Sequence, residues 1–150
     1  MIIIELPIKA FCLNGENGKI EVTINEVLFS HKSIESGYDF KGNLDICIGS
    51  YKVHCNDFYS STGTLDRLLT SLEICYNSLE GSAEYKRYYE EDLEFILNMT
   101  QNGHAIVNGT FREYPHLSNM LTFEMNTDQT FILDIINELK KVIEIFNKYN

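Results

Sequence analysis

The chain has 150 residues, of which 44% are hydrophobic and 23% are charged, and its formal net charge at pH 7 is −10. This apolar fraction excludes a disordered chain and predicts a single globular domain spanning residues 1–150. The acidic excess opposes direct binding to nucleic acid or to an anionic membrane and favours a cationic protein as the partner, although solubility alone is a second explanation of the charge.

The N-terminal residues and the cysteines predict a cytoplasmic protein. The segment MIIIELPIKAF has no basic leader and no small-residue cleavage site, and no window of the chain reaches the apolar length of a membrane span. Because no CxxC pair occurs, we expect free and mostly buried thiols in a reducing compartment. The four cysteines are Cys12, Cys47, Cys55 and Cys75.

The first third of the chain has the two-residue period of β-strands. In KIEVTINEVLF the apolar positions change phase by one residue, which predicts a β-bulge near Asn25. A two-residue turn at Gly49-Ser50 then predicts a hairpin with an apolar and a polar face. Its apolar pairs are Ile48–Tyr51, Ile46–Val53 and Leu44–Cys55, and its polar pairs are Asp45–His54 and Cys47–Lys52.

A helical period begins at Thr64 and predicts a first helix over about residues 64–80. Thr62 or Thr64 is expected to cap its start, and Gly81 is expected to end it. Its apolar stripe consists of Leu65, Leu68, Leu69, Leu72, Cys75, Tyr76 and Leu79.

A second hairpin is predicted around the turn QNG, residues 101–103. We favour a three-residue loop with a left-handed Gly103 over a two-residue loop at Asn102-Gly103, because only the longer loop pairs apolar residues with apolar residues. The favoured pairs include Met99–Ala105, Leu97–Val107 and Leu93–Phe111. The segment LSNMLTFEM predicts one further strand, with Leu121, Phe123 and Met125 pointing inward.

The last predicted element is an amphipathic helix over about residues 127–148. Asn126 and Gln129 form a capping-box pattern before it, and Asp128 is placed to interact favourably with the helix dipole. The expected fold class is therefore α+β, with an antiparallel β-sheet or two-sheet sandwich covered by two long helices.

Patterns that would indicate an enzyme, a cofactor or a metal are missing from the sequence. His54 and Cys55 are adjacent in a predicted strand and point to opposite faces, so they cannot act as a base and a nucleophile. The histidines lack metal-ligand spacing, and the glycines form no phosphate-binding pattern. We therefore expect no catalytic residue, no cofactor and no metal site.

The segment EYKRYYEEDLEF, residues 84–95, is the candidate binding surface. Tyrosines provide large contact areas at low entropic cost, and the neighbouring carboxylates can pair with Lys and Arg of a partner. The expected contact residues are Tyr85, Tyr88, Tyr89, Glu90, Glu91, Asp92 and Glu94. The competing interpretation is a connecting loop with one or two tyrosines in the core.

Three segments resemble a known family: SLEICYNSLEGSAEY, DLEFILNMTQNGHAIVNGTF and LTFEMNTDQTFILDIINELKKVI. They are similar to WapI-type immunity proteins and related immunity domains encoded beside bacterial contact-dependent, polymorphic toxins. The shared motifs are Gly-His-Ala-x-Val-x-Gly at residues 103–109 and Thr-Asp-Gln-Thr at residues 127–130, and the resemblance extends from about residue 44 to the C-terminus.

The resemblance implies a cytosolic antidote that binds a cognate toxin domain, often a basic nuclease, without catalysis. It assigns turn, strand and cap roles to the motif residues and transfers no toxin-contacting residue to this chain. Two alternatives remain open. One is a small-ligand-binding or enzymatic domain with a pocket between sheet and helices, around His54 and His104. The other is an assembly module, such as a homodimer formed through a sheet edge or the C-terminal helix.

Overall fold

The computed structural model describes residues 4–33, 36–88 and 92–148, with the side chains of residues 30–32 left out. In this part of the chain, eight strands form two antiparallel four-stranded sheets, and each group of four strands is followed by one helix. The α+β class and the two-sheet arrangement are confirmed.

The strands follow chain order within each sheet. The first sheet contains β1 (Ile8–Asn14), β2 (Gly18–Lys32), β3 (Tyr38–Ile48) and β4 (Tyr51–Ser61), and α1 (Thr62–Ser78) follows it. The second sheet contains β5 (Ser82–Tyr85), β6 (Leu93–Met99), β7 (His104–Phe111) and β8 (Leu121–Asp128), and α2 (Gln129–Asn147) follows it.

Both predicted helices are present within two residues of their expected bounds. The expectation of two long helices that cover the sheet is met only in part. Helix α1 has only 17 residues. The closest backbone contacts of the two helices are with each other and with the edge strands β1 and β5. Neither helix has an apolar stretch long enough to cross a membrane.

The residues that cap the helices differ from those predicted. The side chain of Ser61, not that of Thr62 or Thr64, caps α1, and the helix ends at a left-handed Leu79 before Gly81 is reached. For α2 the cap is Asp128, so the predicted capping box of Asn126 and Gln129 does not form. The physical reason is that β8 continues through Asp128 and keeps Asn126 paired with Ile106 of β7.

The predicted strand registers are confirmed. Every predicted pair of the β3–β4 hairpin forms, and so does the three-residue-loop register of β6 and β7. Gly103 has a φ of 77°, as that loop requires. The register of β2 shifts between Ile24 and Glu26, where the bulge was expected. Tyr51, however, is 69% exposed although its partner Ile48 is buried, because it lies at the end of the sheet beside the turn.

The core lies between the inner faces of the two sheets and the apolar stripes of the helices. The ring of Phe11 in the first sheet contacts Tyr85 and Phe95 of the second, at centroid distances of 6.3 and 6.4 Å. Three of the four free cysteines are buried and Cys47 is half-buried, as predicted. Leu79 was expected on the buried stripe of α1, but it is exposed because the chain leaves the helix at this residue.

Candidate interaction surface

The segment of residues 84–95 includes the end of β5, the connection to β6 and the start of β6, and its residue Arg87 contacts the first sheet. Tyr89, Glu90 and Glu91 of the expected contact set lie outside the described residues. The four remaining residues of that set, Tyr85, Tyr88, Asp92 and Glu94, have four different environments.

Tyr85 belongs to the core, so its expected place on the surface is wrong. Its side chain is only 1% exposed, and its ring stacks on Phe95 at a centroid distance of 5.4 Å. Its hydroxyl forms a 2.6 Å hydrogen bond with Ser60 Oγ of β4. The alternation of exposed and buried residues along β5 is the local signal that could have identified it, since Ala83 points to the same side.

Tyr88 is the described residue that best fits the predicted role. It is 67% exposed. The guanidinium of Arg67, on α1, lies 4.8 Å from the centroid of its ring, which is a cation–π contact. A second contact holds this guanidinium, since Arg67 Nη2 donates to Thr64 Oγ1 at 3.2 Å. The helix thus supports one face of the tyrosine ring.

Arg87 turns away from solvent and anchors the segment to the first sheet. It is 7% exposed, and its Nη1 donates to the backbone oxygen of Tyr59 at 3.0 Å. Its Nη2 lies 3.7 Å from Asp39 Oδ1. This oxygen is buried and has no hydrogen-bond partner among the described residues. The sequence has no periodic signal for this inward orientation. As a consequence, one of the two cationic groups of residues 84–95 is withdrawn from the surface.

Asp92 and Glu94 flank the start of β6. The oxygen Oδ1 of Asp92 accepts a 2.7 Å hydrogen bond from the Leu93 N–H, and the carbonyl of Asp92 accepts one of 2.8 Å from the Arg112 N–H. Asp92 therefore also organises the backbone at this position. Glu94 is half-buried and points to the outer side of the second sheet, opposite Thr110.

The connection between β7 and β8 adds an apolar region that the sequence interpretation missed. Its first residue, Arg112, donates its backbone N–H to the carbonyl of Asp92. The connection exposes three large apolar side chains, Tyr114, Leu117 and Met120. The side chain of Arg112 contacts two residues of this connection. Its Nη2 lies 3.4 Å from Met120 Sδ, and its Nη1 donates to the Pro115 carbonyl at 3.4 Å. The signal in the sequence was the presence of three large apolar residues among the polar residues of one loop, EYPHLSNM.

The histidines expected for the ligand-binding alternative are not brought together. His54 lies on the first sheet and His104 on the second, and both are exposed. A cavity of about 310 Å³ lies between the start of α1 and the end of α2, and neither histidine lines it. No group of three metal-ligating side chains occurs in the residues that the structure describes.

The titratable groups near the first sheet do not form a nucleophilic site. His54 Nδ1 lies 2.5 Å from Asp45 Oδ1, and this hydrogen bond, together with the carboxylate charge, raises the pKa of His54. Burial and the neighbouring Glu21 raise the pKa of Cys12 to about 11, and burial also raises the pKa of Cys55. These thiols therefore stay protonated at neutral pH.

The chain is similar to several solved structures, two of which are described here. One is described as "Structure of the plant transcriptional regulator PBF-2", with a TM-score of 0.57, 8% identity, and coverage of 98% of this chain and 86% of that chain. This likeness shows a shared fold. The other belongs to "CdiA-CT/CdiI toxin and immunity complex from Enterobacter cloacae", with a TM-score of 0.43, 16% identity, and coverage of 78% and 94%. No curated protein sequence matches the chain.

The family comparison covers most of the chain. The match extends from residue 11 to residue 147, so it includes the first sheet, where the sequence motifs showed no resemblance before about residue 44. Both helices and all strands fall within it, apart from the first three residues of β1. The chain belongs to the immunity protein WapI-like family.

Proposed function

We propose that this protein is an immunity protein that binds a cognate bacterial toxin domain in the cytoplasm and neutralises it without catalysis. The observation that carries the proposal is the family match over residues 11–147. An inhibitor of this kind needs a stable scaffold and an accessible contact surface, and it needs no reactive group. The protonated, buried thiols and the separated histidines agree with that requirement.

The acidic composition supports a basic toxin, and a nuclease is the class that fits best. With a net charge of −10, the protein would accelerate encounter with a cationic partner. The active site of a nuclease attracts phosphates, so carboxylates can occupy the same positive region. Binding there would exclude the substrate by charge and by volume.

The proposed contact surface consists of Tyr88 to Glu94 and the exposed apolar side chains of the β7–β8 connection. Tyr88 is held by Arg67 before any partner arrives, so little side-chain entropy is lost when it is buried in a complex. Asp92 and Arg112 connect the two parts of this surface. An aromatic anchor beside carboxylates and apolar side chains is typical of a binding hot spot.

Co-expression with the toxin domain of a neighbouring reading frame tests the function. We expect the two chains to co-purify as a stoichiometric complex, the toxin activity to be suppressed in that complex, and cells that produce both chains to survive. Two folded chains that do not associate, or turnover of a substrate by this protein alone, would contradict the proposal.

A variant pair tests the contact surface. Tyr88→Ala combined with Glu90→Lys and Glu91→Lys removes the aromatic anchor and two charges while leaving the backbone role of Asp92 intact. The matched control is Tyr51→Ala with Asp134→Lys and Glu144→Lys, all of them exposed and elsewhere in the fold. We expect the first variant to bind the toxin about 30-fold more weakly than the control, as loss of a hot spot does. Equal affinities would remove this segment from the interface.

A further inference from the structure

The outer face of the second sheet is the surface formed by the side chains of β5 to β8 that point away from the core. Burial alternates strictly along β6 from Leu93 to Leu97 and along β7, so every second residue reaches this face. All of these outward residues on the four strands are exposed or half-buried. A four-stranded sheet thus presents one complete side to solvent.

The centre of this face is apolar. Ile96 on β6 and Ile106 on β7 are both half-buried and point outward. Ile96 is paired with Asn108, and Ile106 with Asn98, so the two isoleucines are diagonal neighbours on adjacent strands. A shallow groove of about 300 Å³ lies over the sheet beside Ile96 and extends to Thr110 and Thr122.

Carboxylates surround this apolar centre on three strands. Glu84 of β5 is directly opposite Ile96, and Glu94 precedes Ile96 by two residues on the same strand. On the far side, Glu124 of β8 is opposite Asn108. Among the described residues that line the groove, Lys86 is the one with a cationic side chain, so this part of the rim has a net negative charge.

Three carboxylates on the outer side of the first sheet are paired, whereas three on the outer face of the second sheet are not. On the outer side of the first sheet, Asp57 lies 3.1 Å from Lys41, Glu21 lies 4.0 Å from Lys19, and Asp45 bonds to His54. Within the described residues, by contrast, Glu84, Glu94 and Glu124 form no ion pair and accept no side-chain hydrogen bond. These three carboxylates are therefore accessible to cations of a partner.

We propose that the outer face of the second sheet is a docking surface for a basic protein, which places an apolar side chain in the groove beside Ile96 and Lys or Arg side chains on Glu84 and Glu124. This inference rests on the proposed function, because the occupant is a surface of the toxin. Glu94 lies on this face and also belongs to the proposed contact surface, so the two regions share this residue.

The size of the face agrees with such a shared interface. Four strands at a spacing of about 4.8 Å and about seven residues long cover roughly 400 Å². A standard protein interface buries about 800 Å² on each partner. The face alone is therefore too small for a tight complex, so a second contact region such as the one around Tyr88 is needed.

The test compares two variants of equal net charge. Glu84→Lys with Glu124→Lys changes the rim, and Asp134→Lys with Glu144→Lys changes two exposed positions on α2. Each pair changes the net charge from −10 to −6, so both alter the overall electrostatic field equally. We expect the rim variant to bind the co-expressed toxin domain about 30-fold more weakly than the α2 variant, since like charges would then face each other at the interface.

A second measurement needs no substitution. In methyl-labelled protein, toxin binding should shift the methyl resonances of Ile96 and Ile106 and leave those of Ile74, an exposed residue on α1, unchanged. If the wild-type protein forms no complex with the toxin domain, that result contradicts both the proposed function and this inference. If the wild-type complex forms but the two charge variants bind equally and the Ile96 and Ile106 resonances do not move, only the inference is overturned.

Discussion

Tyr85 and Tyr88 are separated by two residues and have opposite environments. Tyr85 ends β5, where the alternation of the strand points it into the core towards Ser60. Tyr88 follows the strand, where that alternation has ended, and rests on Arg67 at the surface. The residue type alone could not separate them, because tyrosine is suited to both positions.

Replacing Tyr85 with phenylalanine should cost about 1–2 kcal/mol of unfolding free energy. The ring packing is retained, but Ser60 Oγ loses its 2.6 Å partner in a fully buried position. Urea denaturation of the variant measures the loss. Tyr51→Phe is the matched control, since that hydroxyl lies on a side chain that is 69% exposed and should change the stability by less than about 0.5 kcal/mol. Equal stabilities of the two variants would contradict the role given to the Tyr85 hydroxyl.

His54 should titrate above its ordinary pKa of 6.5 because it is hydrogen-bonded to the Asp45 carboxylate. Because folding raises the pKa of His54, the His54–Asp45 pair stabilises the fold fully at pH values below the pKa of His54 in the unfolded chain. This stabilisation is lost as the pH rises through the pKa of His54 in the folded protein. NMR titration should show a lower pKa of His54 in Asp45→Asn. Glu80→Gln, a remote change of equal charge, should leave it unaltered. Identical His54 pKa values in the wild type and Asp45→Asn would refute the assignment.

At the scale of the elements, the junction of β8 and α2 shows how a strand and a helix share a short motif. Thr127, the last but one residue of β8, donates from Oγ1 to the backbone oxygen of Asn14 at 2.7 Å, which ties the second sheet to the first. Asp128 then accepts from the N–H groups of Thr130 and Phe131, at 2.9 and 3.2 Å. The motif at residues 127–130 thus links the two sheets and begins the last helix.

Asp128→Ala should therefore lower the unfolding free energy by about 1 kcal/mol. Two N–H groups at the start of α2 lose their acceptor, and a negative charge is removed from the positive end of the helix dipole. Thermal or chemical denaturation checks this value. Asp128→Asn, which keeps an accepting oxygen, should recover most of the loss. Asp134→Ala should have little effect, and a loss as large as that of Asp128→Ala would show that capping is not the cause.

Strand registers could be predicted, whereas helix caps could not. A shift of one residue in the β6–β7 hairpin would pair Leu97 with Asn108 in the core, so the apolar pattern allows only one register. A cap has a smaller energy, and several neighbouring side chains can supply it. Ser61 caps α1 although Thr62 and Thr64 are adjacent, because β4 extends to Ser61 and holds it in the extended conformation a cap needs.

At the scale of the whole molecule, charge is the property that acts over distance. The negative field of the protein should steer a cationic toxin towards it, and salt screens this field. Contacts within the complex are screened less, since water and ions are excluded from them.

The association rate constant with the toxin domain should therefore fall at least about tenfold as NaCl is raised from about 20 to 500 mM, with a smaller change in the dissociation rate constant. Stopped-flow fluorescence or surface-based kinetics measures both rates. The variant Asp134→Lys with Glu144→Lys should show a weaker salt dependence, because its net charge is reduced to −6. A rate independent of salt would exclude electrostatic steering and, with it, a strongly basic partner.

The sequence by itself determined the α+β class, the positions of both helices, the registers of two hairpins and the family motifs, because these depend on periods that repeat over a few residues. Only the tertiary structure decided the arrangement of the surface. The inward turn of Arg87 and the packing of the second sheet on the first depend on contacts between distant parts of the chain, such as Arg87 with Tyr59 and Tyr85 with Ser60, and no local pattern encodes these contacts. Partner recognition belongs to this second group, since it requires side chains of several strands and loops to meet on one surface.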